Sequence, residues 1–391
     1  MRILVIPKDF PTPENAFSGI FILRRLQAMQ ERGHEVSVLR IVPHAPPFGA
    51  QRWKAYASIP RDSSIEGVAV RTVRAFIPPN MIGIEYLPLQ LRGAAAREIR
   101  RVRADLVHAS YLIPCGQLAI HQSVPSIVTM HGIDAHTWPK RRAGLRRATQ
   151  AVLRQANQLT AVSKFLGDVV QEIERCDVRV IWNGADERFF FPQAREAARE
   201  RIGLPRERFI ITYAGVIDRE KGVYDLLDAA CAIRSRRPLL LIAGGGNESA
   251  AFERAAREKG VDVRMLGAVD QRTVATAYAA ADVMTLPSYI EGLPNVVCEA
   301  MLCGRAVITT PAGGTAEIVK DGENGLLVPI GNPQRLAHAF ERLADDPAER
   351  DRLAAAAHAF ARERLTWRNS ARLYEQLYEE VYERHRVASW A

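Results

Sequence analysis

This 391-residue chain predicts an α/β protein of two doubly wound, Rossmann-like domains, and three observations carry that prediction. Short apolar runs rich in β-branched residues alternate with helical patterns, which is how parallel sheets covered by helices are built. The alternation lapses once, over WNGADERFFFPQAREAARERIGL, and then restarts. The length also exceeds what one ordinary core accommodates, so two domains are expected.

The elements follow in order. RILVI, a helix over Phe21–Arg32 closed by Gly33, and HEVSVLRIV form a strand–helix–strand unit. Residues 44–66, rich in proline and aromatics, read as an irregular excursion. Further strands are expected at VAVRTV, ADLVHAS, PSIVTMH, QLTAVS and VRVIW. The second half begins with FIITYAGV and a helix over Val223–Arg236. Strands at PLLLIAGGG, VDVRMLG, DVMTLP, AVITT and GLLVP follow, with helices between them. We place the domains at 1–185 and 186–366. A last helix over 367–391 has an apolar stripe at Trp367, Leu373, Leu377 and Val381. Ligands of such sheets sit at the carboxyl ends of the strands, in a cleft that two facing sheets would form.

Composition narrows the class. No stretch of eighteen uncharged apolar residues occurs, so no membrane-spanning helix is expected. The N-terminal apolar run is too short for a signal peptide. Five scattered cysteines, none in C-x-x-C, suit reduced thiols and a cytoplasmic location rather than a disulfide or zinc framework. The charge is uneven. Residues 1–185 hold 25 Lys and Arg against 14 Asp and Glu, and the remainder 28 against 30. The basic runs RGAAAREIRRVR and KRRAGLRRATQAVLR are either solvated helix faces or a surface for an anionic partner, such as lipid headgroups. They lack interleaved aromatics and any accompanying motif, which argues against nucleic acid.

The most informative segment is Tyr289-Ile-Glu-Gly-Leu-Pro-Asn-Val-Val-Cys-Glu299, with seven residues between Glu291 and Glu299. Glu291 is expected at the tip of a strand-to-helix turn. Glu299 is expected about two turns into the helix, on the side that looks back at the loop. Such a pair would bind two polyol groups of one extended ligand. This arrangement resembles the E-x7-E signature of the retaining glycosyltransferases of family 4, which have the GT-B fold. The segments YAGVIDREKGVYDLLDAA, IAGGGNE, MLGAVDQ, SYIEGLPNVVCEAMLCGRAVITTPAGGTAEIVKDGENGLLVP resemble the family in family order.

The resemblance implies a nucleotide-sugar donor in the second domain and an acceptor chosen by the first, with the last helix crossing back onto the first. It assigns a basic pair, Arg219 and Lys221, to the diphosphate. An arginine grips phosphate oxygens in a fork and a lysine acts as a point charge. No cofactor or metal is expected, and no D-x-D occurs. Glu291 would accept from the transferred sugar and Glu299 from the ribose. Leu293, Pro294, Asn295 and Val296 open the helix whose free amides would face phosphate. Gly267, Ala268 and Val269 would lie against the base, framed by Gly313-Gly314-Thr315-Ala316-Glu317. Gly19, in NAFSGIF, resembles a glycine loop that approaches the diphosphate. His131, in H-G-x-D, would lie near the reacting centre, with Asp134 orienting its ring. Asp134 and His136 would alternatively touch acceptor. Ser163-Lys164 and Asn183-Gly184 read as family segments or as plain turn and cap residues.

The expected activity is a retaining, metal-independent hexosyl transfer from UDP- or GDP-sugar to a hydroxyl of a lipid-linked or polysaccharide acceptor. It would take place in the cytoplasm or peripherally at the inner membrane face. A nucleotide-sugar epimerase of the same fold and a non-catalytic nucleotide-sugar binding protein are the rival readings.

Overall fold

The computed structural model describes residues 1–46, 48, 50–77, 82–233 and 237–388, the side chain of residue 52 excepted. The chain divides into two compact units, Met1–Trp182 with the chain from Trp367 on, and Asn183–Thr366. The first division therefore falls at Trp182/Asn183, ahead of the expected 185/186. The reason is local: Ala185 donates its N–H to Leu365 O at 2.8 Å, so the chain already belongs to the second unit there. The end of the helix expected over Val223–Arg236 lies outside the described residues, and the described part spans Val223–Ala232.

The first sheet comprises β1 (Arg2–Pro7), β2 (Glu35–Pro43), β3 (Asp62–Ile65), β4 (Val68–Ala75), β5 (Leu106–Ser110), β6 (Ser126–Met130), β7 (Gln158–Ala161) and β8 (Val178–Val180). Their order is β3-β4-β2-β1-β5-β6-β7-β8. The strands β5 and β6 are buried throughout, as expected of parallel strands covered on both faces. The excursion over 44–66 is more regular than expected. It holds a helix at Gln51–Ser58 and the edge strand β3, which pairs antiparallel with β4. Glu66 and Gly67 turn this hairpin with φ of 46° and 86°, the left-handed pair that a two-residue hairpin loop needs.

The second sheet comprises β9 (Ile210–Ala214), β10 (Leu239–Ala243), β11 (Asp262–Gly267), β12 (Val283–Leu286), β13 (Ala306–Thr309) and β14 (Leu326–Leu327). Its order is β11-β10-β9-β12-β13-β14, all parallel. Both sheets reverse their winding once, between β1 and β5 in the first and between β9 and β12 in the second. The loops leaving the carboxyl ends of these strands diverge, and an open α/β sheet offers its ligand crevice at such a point.

The last helix, Trp367–Ala388, packs on the first unit against the helix Ile20–Glu31. Its buried seam runs Trp367, Ala371, Tyr374, Leu377, Tyr378 and Val381, while Leu373 is only partly buried. Two of those tyrosines enter a polar network under the sheet. His108 Nδ1 meets Tyr378 Oη at 2.5 Å and its Nε2 meets Thr129 Oγ1 at 2.6 Å. Thr129 in turn touches Thr160 Oγ1 at 2.6 Å and Tyr374 Oη at 3.2 Å. Burial, aided by the nearby Arg25, holds the His108 pKa well below its ordinary value, so the ring is neutral. A neutral imidazole has one donor and one acceptor nitrogen, and the two hydroxyls satisfy both.

Replacing Tyr378 by Phe strands Nδ1 of His108 in an apolar interior. The expected cost is about 1–3 kcal/mol of stability, the usual penalty for an orphaned buried polar group. Urea denaturation of Tyr378→Phe beside the wild type measures it, and coincident curves would dismiss the network as a fastening for the last helix.

Candidate active site

The second unit gathers its charged groups where its winding reverses. After β9 the chain runs through a 3-10 turn, Arg219–Lys221, into the helix Val223–Ala232. Asp218 caps the turn by accepting from Glu220 N at 2.8 Å. After β12 a loop leads to the helix Asn295–Leu302. Backbone bonds seat this loop. Tyr289 N donates to Glu220 O at 2.8 Å, Gly314 N donates to Gly292 O at 3.0 Å, and Thr310 Oγ1 donates to Ser288 O at 2.5 Å. Gly313, at φ 56°, approaches so closely that a Cβ there would lie 1.8 Å from Glu291 O. Only glycine permits both that φ and that contact.

The seating brings Lys221 and Glu291 together. Lys221 Nζ lies 2.7 Å from Glu291 Oε1, and Ser288 Oγ donates to the same oxygen at 2.7 Å. Both donors use Oε1, so Oε2 accepts from no described residue. The Lys221 side chain is 31% exposed and that of Glu291 11%. Arg219 is not part of this cluster. Its side chain is 74% exposed, its Nε lies 3.4 Å from Glu248 Oε1, and its guanidinium stacks 4.6 Å above the Tyr224 ring.

Glu299 is the fifth residue of its helix, just over one turn in rather than two, because Gly292-Leu293-Pro294 stays non-helical and the helix opens only at Asn295. Its Oε2 accepts from Tyr278 Oη at 3.3 Å. Although solvent still reaches part of the residue, desolvation of the carboxyl dominates and pushes its pKa up to about 8, against the Tyr278 bond that lowers it. Leu293 and Pro294 are buried and Pro294 is the N-cap residue, so the Asn295 and Val296 amides lack intrahelical acceptors. Asn295 Oδ1 accepts from Asn183 Nδ2 at 2.9 Å. Gly267 ends β11, and its carbonyl is taken by Gly244 N at 2.8 Å. Ala268 is exposed and Val269 half-buried on the way to the next helix, which Asp270 caps.

The first unit holds the remaining candidates. His131 follows β6 and lies between the rings of Phe21 and Tyr111, at centroid distances of 5.1 and 4.9 Å. Both its ring nitrogens are buried and without a hydrogen-bond partner. Burial, then the Arg25 charge, lowers its pKa well below the ordinary value, so the ring is neutral. Asp134 does not orient that ring. Its Oδ1 accepts from the backbone N–H of His131 at 3.2 Å and Gly132 at 3.0 Å, and its Oδ2 from Leu112 N at 3.0 Å. Asp134 is fully buried, which also removes it as an acceptor contact. It is a brace that fixes the loops after β5 and β6. His136 Nδ1 meets Thr137 Oγ1 at 2.6 Å. Gly19 is buried at φ 65°, and a Cβ on it would lie 2.1 Å from Asp9 O, so only glycine fits there. Ser163 caps its helix, accepting from Leu166 N at 3.3 Å.

Ser288 and Tyr278 were not anticipated. Ser288 stands three residues before Glu291, a spacing that brings a hydroxyl to a carboxylate across a tight loop. Tyr278 is distant in sequence and carries no local signal.

Comparison with known proteins agrees with this architecture. Residues 194–360 match the model of the glycosyl transferases group 1, and residues 18–189 match that of glycosyltransferase family 4. The D-inositol 3-phosphate glycosyltransferase of Nocardioides sp. is 30% identical over 362 residues, covering 82% of this chain and 78% of that protein. The N-acetyl-alpha-D-glucosaminyl L-malate synthase of Bacillus anthracis is 26% identical over 351 residues, covering 87% of each. Among solved structures, sucrose-phosphate synthase from Thermosynechococcus elongatus superposes with a TM-score of 0.81 at 22% identity, covering 98% of this chain and 100% of that one. HepE of Anabaena, solved with UDP, superposes at 0.77 and 19% identity, covering 97% and 100%. These likenesses establish the GT-B fold.

The high Glu299 pKa has a consequence for stability. The folded chain keeps a proton there that the unfolded chain releases near the ordinary 4.5. Between pH 4.5 and about 8 the folded state binds more protons, so this residue's contribution falls as pH rises. Glu299→Gln should therefore melt close to wild type at pH 5 and several degrees above it at pH 8.5, roughly 2–4 °C per kcal/mol regained. Scanning calorimetry at both pH values checks this, and an unchanged difference between them contradicts the assigned burial.

Proposed function

Since the chain belongs to the glycosyl transferases group 1, of family 4 type, and is thus a glycosyltransferase, we propose that it is a retaining, metal-independent enzyme. In this reading it takes a hexose-type sugar from a UDP- or GDP-sugar and delivers it to a hydroxyl of a lipid-linked or polysaccharide acceptor. The second unit holds the donor and the first selects the acceptor. The observation that carries the reading is the contact of Lys221 with Glu291 on the two loops of the winding reversal.

Cleavage of a sugar–diphosphate bond leaves negative charge on the departing phosphate, and preorganised positive groups lower the barrier by receiving it. Lys221 uses one of its three donors on Glu291 and keeps two for phosphate oxygens. The Asn295 and Val296 amides at a helix N-terminus add donors of the same kind. Arg219, on an exposed stem, leaves Glu248 to grip the diphosphate as a fork. Glu291 Oε2 accepts from a hydroxyl of the transferred sugar, and Glu299 accepts from the ribose.

Retention follows from a front-side displacement. The acceptor oxygen bonds to the anomeric carbon on the face from which the phosphate oxygen departs, and the acceptor proton passes to a phosphate oxygen. No protein nucleophile takes part, so the close carboxylate pair of retaining glycosidases is not needed.

Glu291→Gln and Lys221→Ala should each lower turnover by about 10²–10³, the usual cost of losing one transition-state donor or its fixing partner, with the melting curve little changed. Assays with nucleotide-sugar donors test this. Wild-type activity in either variant removes the proposed site, and strong loss of activity on adding EDTA removes metal independence.

The basic first half suits an acceptor at an anionic surface. Arg92, Arg97 and Arg100 on the helix Leu87–Val102 are exposed, as are Arg146 and Arg147 on the helix Ala143–Gln155. Exposed cations of this kind contribute about 1 kcal/mol each near an anionic leaflet, screened within about 10 Å at 0.1 M salt. Sedimentation with anionic vesicles should therefore rise as salt falls. Indifference to vesicle charge returns these arginines to plain solvated faces.

A further inference from the structure

A cavity of about 280 Å³ opens within the first unit. Lys8 and Asp9, which follow β1, form one wall, and Pro114 and Cys115, beyond β5, form another. It therefore lies where the winding of the first sheet reverses, the point at which an α/β sheet presents its crevice. Much of the remaining wall is apolar, including Ile84 and Leu87.

Arg40, on β2, also lines this cavity and is only 3% exposed. Its partners are all neutral. Nη1 donates to Pro11 O at 2.7 Å, while Nη2 and Nε donate to Thr72 Oγ1 at 2.9 and 3.3 Å. Among the described residues no carboxylate lies within ion-pair distance of it. Asp9, the acid of the same cavity, is engaged by Lys8 at 3.0 Å. Desolvation accordingly depresses the Arg40 pKa, with no nearby acid raising it.

Buried charges in folded proteins are paired, because an isolated one forfeits its hydration. The buried Arg199 obeys this rule, its Nη2 lying 2.7 Å from Asp282. Arg25 also lacks a carboxylate among the described residues, but it stacks 4.9 Å from the Tyr374 ring and donates to Ser110 Oγ at 3.1 Å. Arg40 joins an uncompensated buried guanidinium to an open space, with two of its five N–H donors unused.

We propose that this cavity seats an anionic group of the acceptor, a carboxylate or a phosphate, on Arg40, with the apolar wall holding the acceptor's less polar body. The inference deepens the glycosyltransferase reading and rests on it for the word acceptor.

Isothermal titration of the full chain with hexyl phosphate, hexanoate, hexanol and UDP tests the proposal. The wild type should bind at least one of the two anions tenfold or more tightly than hexanol, and the better anion identifies phosphate or carboxylate. Arg40→Gln should lose that advantage while keeping its affinity for UDP. Anions bound no better than hexanol by the wild type would overturn the proposal without any variant. Equal anion binding by Arg40→Gln would overturn it too, and a parallel loss of UDP affinity in a folded Arg40→Gln would place the arginine in the donor site instead. Should Arg40→Gln fail to fold, Arg40→Lys, which keeps the charge, should retain anion binding, and its failure to do so while folded counts against the proposal. Absence of UDP binding by the wild type would strike the donor reading and leave the anion result standing.

Discussion

Everything in the second unit's site depends on how the loop after β12 is held against the turn after β9. The Lys221–Glu291 contact is the visible link, but it is not what holds the two together. A partly exposed ion pair contributes on the order of 0–1 kcal/mol. The loop instead hangs on backbone bonds, Tyr289 N to Glu220 O and Gly314 N to Gly292 O, and on the close approach of Gly313 to Glu291 O. The scaffold thus positions the charges, and the charges remain available. Glu291 receives both Lys221 and Ser288 on one oxygen, so its other oxygen and two ammonium donors are free for a ligand without any bond being broken first.

The first unit solves a different problem, that of a polar interior beneath a parallel sheet. Its two central histidines, His108 and His131, are both neutral because burial disfavours the imidazolium and Arg25 repels it. Their partners differ. His108 is saturated by Tyr378 and Thr129 and serves to fasten the last helix. His131 has no partner at either nitrogen. Two rings of one type in one electrostatic setting therefore differ in their bonding, one saturated and one with both nitrogens unpaired. Asp134 belongs with the structural group. Burial raises its pKa, and three backbone N–H groups oppose that rise by satisfying the carboxylate.

The parallel strands were legible because a strand covered on both faces reads as an unbroken apolar run, as in RILVI or PLLLIA. The place of Glu291 in a loop between a strand and a helix was legible from the apolar run before it, whereas Lys221 was picked out by the family resemblance alone. Other features were hidden for physical reasons. The hairpin of β3 has a weak alternation, DSSI, and only Glu66-Gly67 hints at its turn. Asp134 sits three residues after His131, a spacing equally fit for ring orientation or for capturing backbone N–H groups, and only coordinates choose. Arg219 neighbours Lys221 in sequence, yet a 3-10 turn advances about 120° per residue, so residues two apart point in different directions. Arg40 lies within an otherwise apolar strand, LRIV, and a sequence does not reveal that its carboxylate partner is missing.

That missing partner marks the deeper contrast between the two winding reversals. At the one between β9 and β12 the cation Lys221 meets Glu291, so the resting charge is balanced locally. At the one between β1 and β5, Lys8 meets Asp9 but Arg40 stands beyond them with neutral partners only. A balanced pair suits a ligand that must leave again with more charge than it brought, since Lys221 offers its two remaining donors while its bond to Glu291 stays in place. An unbalanced cation suits a ligand whose own fixed charge supplies the balance, because seating that ligand relieves a desolvation cost already incurred on folding. An uncharged molecule leaves that cost in place, so discrimination follows from the wall of the cavity itself. In the proposed reading, the departing diphosphate of the donor is the first kind of ligand and the fixed anion of the acceptor is the second.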